Sequence, residues 1–119
     1  MSLRADYCTV EADEDPVAIT LTDATGPVSL PVGTQVTLLL RNAATGEAQT
    51  SISCEVEDAG NGDTTGRISF VASSIPVGVY YAQYRVLFAP ASPDEREVFF
   101  PRGDSGRPYD VIEITGNLL

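Results

Sequence analysis

Polar and apolar residues alternate in short runs along this chain, and no segment sustains the 3.6-residue apolar period of an amphipathic helix. The longest alternating stretch opens at Gly78 and reaches Phe88. It places Tyr80, Ala82, Tyr84, Val86 and Phe88 on one face, because side chains alternate along a pleated strand. A strand of that length must lie across a core. Val17, Ile19 and Leu21 form an earlier run that ends at Asp23-Ala24-Thr25-Gly26-Pro27, and Pro31-Val32-Gly33 is a second break. Val36 to Leu40 predicts an apolar strand, followed by a hairpin-like turn at Ala43-Ala44-Thr45-Gly46. Thr50 to Val56 alternates again, Ala59 to Asp63 is an exposed turn cluster, and Ile68 to Val71 is a further strand. After Phe88 come a loop from Ala89 to Arg96, a strand from Glu97 to Phe100, an open loop from Pro101 to Pro108 and a last strand from Tyr109 to Thr115.

Roughly seven or eight short strands, with turns at about ten-residue spacing, predict an all-β fold: an antiparallel two-sheet immunoglobulin-like β-sandwich. The chain reads as a single domain over residues 1–119, with residues 1–14 a candidate extended N-terminal arm. The expected core is Ile19, Leu21, Val36, Leu38, Leu40, Ile52, Ile68, Phe70, Tyr80, Ala82, Tyr84, Val86, Phe99, Ile112 and Ile114. Alternation does not decide the buried face where both faces are apolar, as at Leu38-Leu39-Leu40. Gly78-Val79-Tyr80 resembles a tyrosine corner, in which the hydroxyl bonds back to the preceding turn. The alternative is a core tyrosine with its hydroxyl at the surface.

Composition narrows the chemistry. The formal net charge is −10, every cation is an arginine, and the chain has no histidine. An acidic chain lacks the cationic footprint that nucleic acid requires. A GC-rich or salt-adapted source would account for the missing lysine. Without histidine the common nucleophile–base arrangements are unavailable, so the expectation is a non-catalytic protein with no cofactor and no metal. A weak calcium site at Glu11 and Asp13-Glu14-Asp15, or at Glu57, Asp58 and Asp63, is the alternative to solvated loop charge. Cys8 and Cys54 sit among alternating apolar neighbours, as buried free thiols do, with a disulfide as the other option. Met1 to Asp6 lacks a signal-peptide apolar core, and no run has membrane-spanning length, so the expectation is an unexported protein without membrane insertion.

In order, the chain carries Val17-Ala18-Ile19-Thr20-Leu21-Thr22-Asp23-Ala24-Thr25-Gly26-Pro27-Val28, Val36-Thr37-Leu38-Leu39-Leu40-Arg41, Ile75-Pro76-Val77-Gly78-Val79-Tyr80-Tyr81-Ala82-Gln83-Tyr84, Val98-Phe99-Phe100-Pro101 and Val111-Ile112-Glu113-Ile114. This succession resembles the immunoglobulin-like N-terminal domain of phage baseplate upper proteins and related tail-fibre adaptor domains. In that family the domain anchors a longer fibre or receptor-binding arm to the virion. With no distal arm after Leu119, the resemblance implies a stand-alone tail, baseplate or fibre-adaptor component, or a capsid decoration protein. Such a protein is assembled in the host cytoplasm among other virion proteins, as a homo-oligomer or part of a symmetric array. Its expected contacts are the apolar tail Leu118-Leu119 and the loops Ala89 to Arg96 and Pro101 to Pro108, the latter carrying Arg102 and Asp104. A secreted carbohydrate-binding or adhesion module is the competing class. Aromatic residues aligned on one exposed face would favour it, and Tyr81 is the outward tyrosine on the long strand.

Overall fold

The computed structural model describes residues 2–3, 7–11, 15–23, 26–47, 51–57, 66–100 and 110–116. Their regular elements are all strands: β1 (Ser2–Leu3), β2 (Tyr7–Glu11), β3 (Val17–Thr20), β4 (Thr22–Asp23), β5 (Gly26–Pro27), β6 (Gln35–Asn42), β7 (Ile52–Val56), β8 (Arg67–Phe70), β9 (Gly78–Phe88), β10 (Arg96–Phe100) and β11 (Asp110–Thr115). The fold is all-β, without helix among the described residues.

Among those residues, nine strands make one sheet in the order β1-β3-β8-β7-β6-β9-β11-β2, with β10 also beside β9, while β4 and β5 form a separate ribbon. Two features make the sheet nearly closed. Strand β7 changes partner along its length: Ile52, Ser53 and Cys54 pair with β6, whereas Glu55 and Val56 pair with β8. At the other end the N-terminal segment serves both margins. β1 runs parallel to β3, and β2, which begins at Tyr7, runs parallel to β11. These strands lie inside the stretch read from sequence as a candidate arm.

Strand β9 is the axis. β6 lines one of its edges from Leu87 to Tyr80. The other edge is divided, with β11 against Gly78–Ala82 and β10 against Tyr84–Phe88. Phe100 therefore lies opposite Tyr84 and Asp110 opposite Ala82, two positions apart on one edge of β9.

Inward residues from both halves of the sheet join one buried cluster, in which Ile19 and Ile68 meet Leu38, Tyr84 and Ile112. The expected core is buried with two exceptions. Phe99 is 40% exposed, and Phe100 is the buried member of the pair. The register explains this: Phe99 faces Arg85 on the outer row of β9, whereas Phe100 faces Tyr84 on the inner row. Ile52 is only half-buried, because β7 lies where the sheet turns from β6 to β8 and is partly covered there. Val28, Leu30, Ala72 and Ile75, from the connections between strands, complete the core together with Val10, Phe88 and Phe100.

Two local devices hold the connections. The Tyr80 hydroxyl donates to the Pro76 carbonyl at 2.7 Å, and Ile75 N–H donates to the Ala72 carbonyl at 3.0 Å. Gly78-Val79-Tyr80 is thus a tyrosine corner, with the ring buried beneath its own turn. At the second device, Leu21 N–H donates to Gly66 O at 2.8 Å and Val28 N–H to Leu21 O at 2.9 Å, tying the ends of β3, β5 and β8 together. Gly66 has φ +69°, and a Cβ there would lie 2.5 Å from the Leu21 carbonyl oxygen. Only glycine fits both the backbone angle and the space.

Both devices are testable by urea unfolding. Gly66→Ala is expected to cost at least ~2 kcal/mol, since the clash is with backbone that cannot move aside without breaking the junction. Tyr80→Phe removes one hydrogen bond while keeping the ring, at a cost of about 1 kcal/mol. An unchanged midpoint for Gly66→Ala would mean that the junction does not support the fold.

Candidate functional site

Because β9 buries its even-numbered residues, its odd-numbered ones build the opposite face: Val79, Tyr81, Gln83, Arg85 and Leu87. The neighbours extend this face in register. Arg41, Leu39, Thr37 and Gln35 from β6 stand opposite Tyr81, Gln83, Arg85 and Leu87. Val111 and Glu113 of β11 oppose Tyr81 and Val79, and Glu97 and Phe99 of β10 oppose Leu87 and Arg85. Val79 is 39% exposed and Phe99 40%, while Leu39, Tyr81, Leu87 and Val111 are half-buried. The result is a sheet face on which apolar side chains alternate with charged and amide groups.

Its charges are tied down locally. Arg85, opposite Phe99, reaches diagonally to the Glu97 carboxylate, so the ion pair borders the exposed ring. Arg41 donates to the Gly46 carbonyl across the β6 turn, whose Ala44 and Thr45 N–H groups donate to the Asn42 side-chain oxygen at 2.8 and 3.1 Å. At the start of β10 the Arg96 guanidinium lies 4.5 Å from the centre of the Phe88 ring, within cation–π range.

The β9–β10 loop is ordered by its own hydrogen bonds: Ser92 N–H to Ala89 O at 3.2 Å and Ala91 N–H to a Glu95 carboxylate oxygen at 2.8 Å. Ala89 and Ala91 take φ of 48° and 62°, which alanine adopts only at a cost in energy. Part of the loop region expected to make contacts is therefore a fixed shape beside the outer face.

The other sequence-derived candidates fall elsewhere. Leu118, Leu119, Arg102 and Asp104 lie outside the described residues. So do Asp13, Glu14, Asp58 and Asp63 of the acidic runs, whereas Glu57 forms an ion pair with Arg67 at 3.2 Å and Asp15 is exposed. Among the described residues no group of three or more His, Cys, Asp or Glu side chains is placed to hold a metal. The sequence singled out Tyr81 as outward but missed Phe99, Val79, Leu87, Leu39 and Val111 on the same face. Runs such as Leu38-Leu39-Leu40 and Val98-Phe99-Phe100 are apolar on both sides, so only pairing to β9 discloses which side faces out.

Cys54 is a free thiol, half-buried and packed against the core, with its Sγ 3.8 Å from the Ile52 carbonyl. The Cys8 side chain lies outside the described ones. Burial pushes the Cys54 thiol up from 9.0 to about 12, against a smaller opposing contribution from a backbone hydrogen bond at Leu38. The neutral thiol is favoured in the folded state, so its contribution to stability is complete below pH 9.0 and declines as pH rises toward about 12. Cys54 is accordingly expected to resist alkylation in the native protein at about pH 8 and to label after denaturation without reductant. Peptide mass spectrometry showing native labelling at the rate of an exposed thiol would contradict this placement.

No protein-family model, no curated protein and no solved structure matches this chain.

Proposed function

We propose that this chain is an immunoglobulin-like sandwich acting as a non-catalytic structural component of a tailed-phage virion, in the tail, baseplate or fibre adaptor. The observation that carries the reading concerns Ile75 to Tyr84. This stretch, which carries the family resemblance together with Phe99-Phe100-Pro101 and Val111-Ile112-Glu113-Ile114, also forms the tyrosine corner and enters the central strand. The strand order supports the sandwich. With β3, β8 and the end of β7 as one layer and β6, β9 and β10/β11 as the other, the pairing follows the B-E-D and C-F-G arrangement of immunoglobulin-type domains. In that reading β7 crosses between layers, and β1 and β2 complete one margin each.

A building block of this kind works through its surfaces. The outer face of β6, β9, β10 and β11 and the fixed β9–β10 loop offer contact area to neighbouring virion proteins, and Leu118-Leu119 would add an apolar tail. Capsid decoration is the same role at the head. A carbohydrate-binding or adhesion module is favoured by one observation, that Tyr81 and Phe99 stand on one face. Their levels on β9 are Tyr81 and Arg85, four residues apart or roughly 13 Å along the strand.

The reading predicts that purified particles from the source contain this protein in fixed stoichiometry by quantitative mass spectrometry, with immunogold label at one particle location. Deleting Asn117 to Leu119 is expected to lower incorporation without changing the thermal midpoint of the isolated protein. Particles that lack the protein would refute the virion role, and binding to a glycan array by the isolated chain would replace it with the adhesion role.

A further inference from the structure

Strand β10 is paired on one side only among the described residues. β9 lines one edge. Strand β2, which covers the outer edge of β11, spans the register from Val111 to Thr115 and so ends before the level of β10. Arg96, Glu97 and Phe99 are exposed and Val98 is half-buried. An edge of this kind presents a row of backbone donors and acceptors, and what satisfies them is another extended strand.

We infer that this edge is the docking site for a second copy of the chain, the two β10 strands pairing antiparallel about Val98 so that the sheet continues across a two-fold axis. The register follows from the residues. A two-fold axis perpendicular to the sheet keeps each face on its own side, so it runs between the two strands at the level of a residue of β10 rather than at the level of a peptide bond. Centred on Glu97 it sets two carboxylates directly opposite, which is destabilising, and faces only three residues of β10 with their counterparts. Centred on Phe99 it also faces only three. Centred on Val98 it pairs all five residues of β10, Arg96 with Phe100 and Glu97 with Phe99 of the other copy. The charged half of the strand thus meets the apolar half, with no like charges opposed. The two Phe99 rings, each 40% exposed, come to diagonal positions on the outer face, within reach of one another.

A second copy, rather than a basic partner, has a distinctive electrostatic signature. Each chain carries a formal charge of −10, so two copies repel and salt strengthens their association by screening. A basic partner would bind more weakly as salt rises. Five residue pairs and the flanking side chains make less than the roughly 1,200–2,000 Å2 of a standard interface, so the dimer is reversible. This pairing stands on the geometry of β10 and does not depend on the viral reading.

Sedimentation equilibrium of the full chain tests it. A monomer–dimer equilibrium is expected that tightens between about 50 mM and about 500 mM salt. Phe99→Glu sets a carboxylate against Glu97 of the other copy and should weaken the dimer by about tenfold or more, whereas Phe99→Arg should preserve or tighten it. Val32 is 67% exposed in a turn, so Val32→Glu and Val32→Arg report the effect of net charge alone and should change the equilibrium much less. Hydrogen exchange of the unmodified protein provides a readout without substitution: amide protection within Arg96–Phe100 should rise with protein concentration. A monomer at all concentrations and salts, a dimer that salt weakens, equal responses at Phe99 and Val32, or β10 protection independent of concentration would each overturn the proposal.

Discussion

Strand β9 is hydrogen-bonded along both edges over nearly its whole length, and the faces of the larger half of the sheet are indexed to it. Once Tyr80, Ala82, Tyr84, Val86 and Phe88 point inward, the ladder obliges Val36, Leu38 and Leu40 of β6 to do the same, along with Phe100 of β10 and Ile112 and Ile114 of β11. A slip of one residue would reverse every one of these rows, exposing two tyrosine rings and burying Arg85 with Glu97. The tyrosine corner guards against that slip. Its hydroxyl fixes the entry of the strand relative to the preceding turn, at the point from which the register is counted.

The divided edge of β9 separates two tasks. β11 and β2 continue the sheet beside the first half of β9, adding Ile112, Ile114 and Val10 to the core. β10 continues it beside the second half, contributing Phe100 inward and Glu97 and Phe99 outward. Among the described residues, two further strands thus back the first half of β9 and one backs the second. The charges of the outer face are held by partners within the chain, so they set its polarity without competing strongly for outside ligands. A surface pair such as Arg85–Glu97 contributes little to stability, since solvent screens it and ordering the side chains costs entropy.

The strands were legible in the sequence because one-sided alternation carries the inside–outside pattern residue by residue. The long strand was read with its bounds unchanged, and Ile19, Leu21, Ile68, Phe70, Ile112 and Ile114 were placed in the core correctly. The errors have different causes. In Val98-Phe99-Phe100 both faces are apolar, so alternation is silent and the non-local register decides. Val28, Leu30, Ala72 and Ile75 were missed because they are buried from irregular connections that have no period. The outer face was legible only at Tyr81, since a surface belongs to several strands whose neighbours no local pattern names. The tyrosine corner was readable because it is local, spanning Pro76 to Tyr80.

The parallel pairing of β2 with β11 joins an early strand to a late one. Tyr7 lies beside Val111, and the Thr115 hydroxyl donates to the Val10 carbonyl at 3.4 Å across 105 residues of sequence. During synthesis this ladder cannot form until β11 has been made, long after β2. Closing so long a loop is entropically expensive before any of its contacts form, and high contact order slows folding. In the folded molecule the same join holds β2 and β11 side by side. Force applied through the start of β2 and the end of β11 would load their ladder along the strands, in the shear geometry in which its hydrogen bonds must fail together.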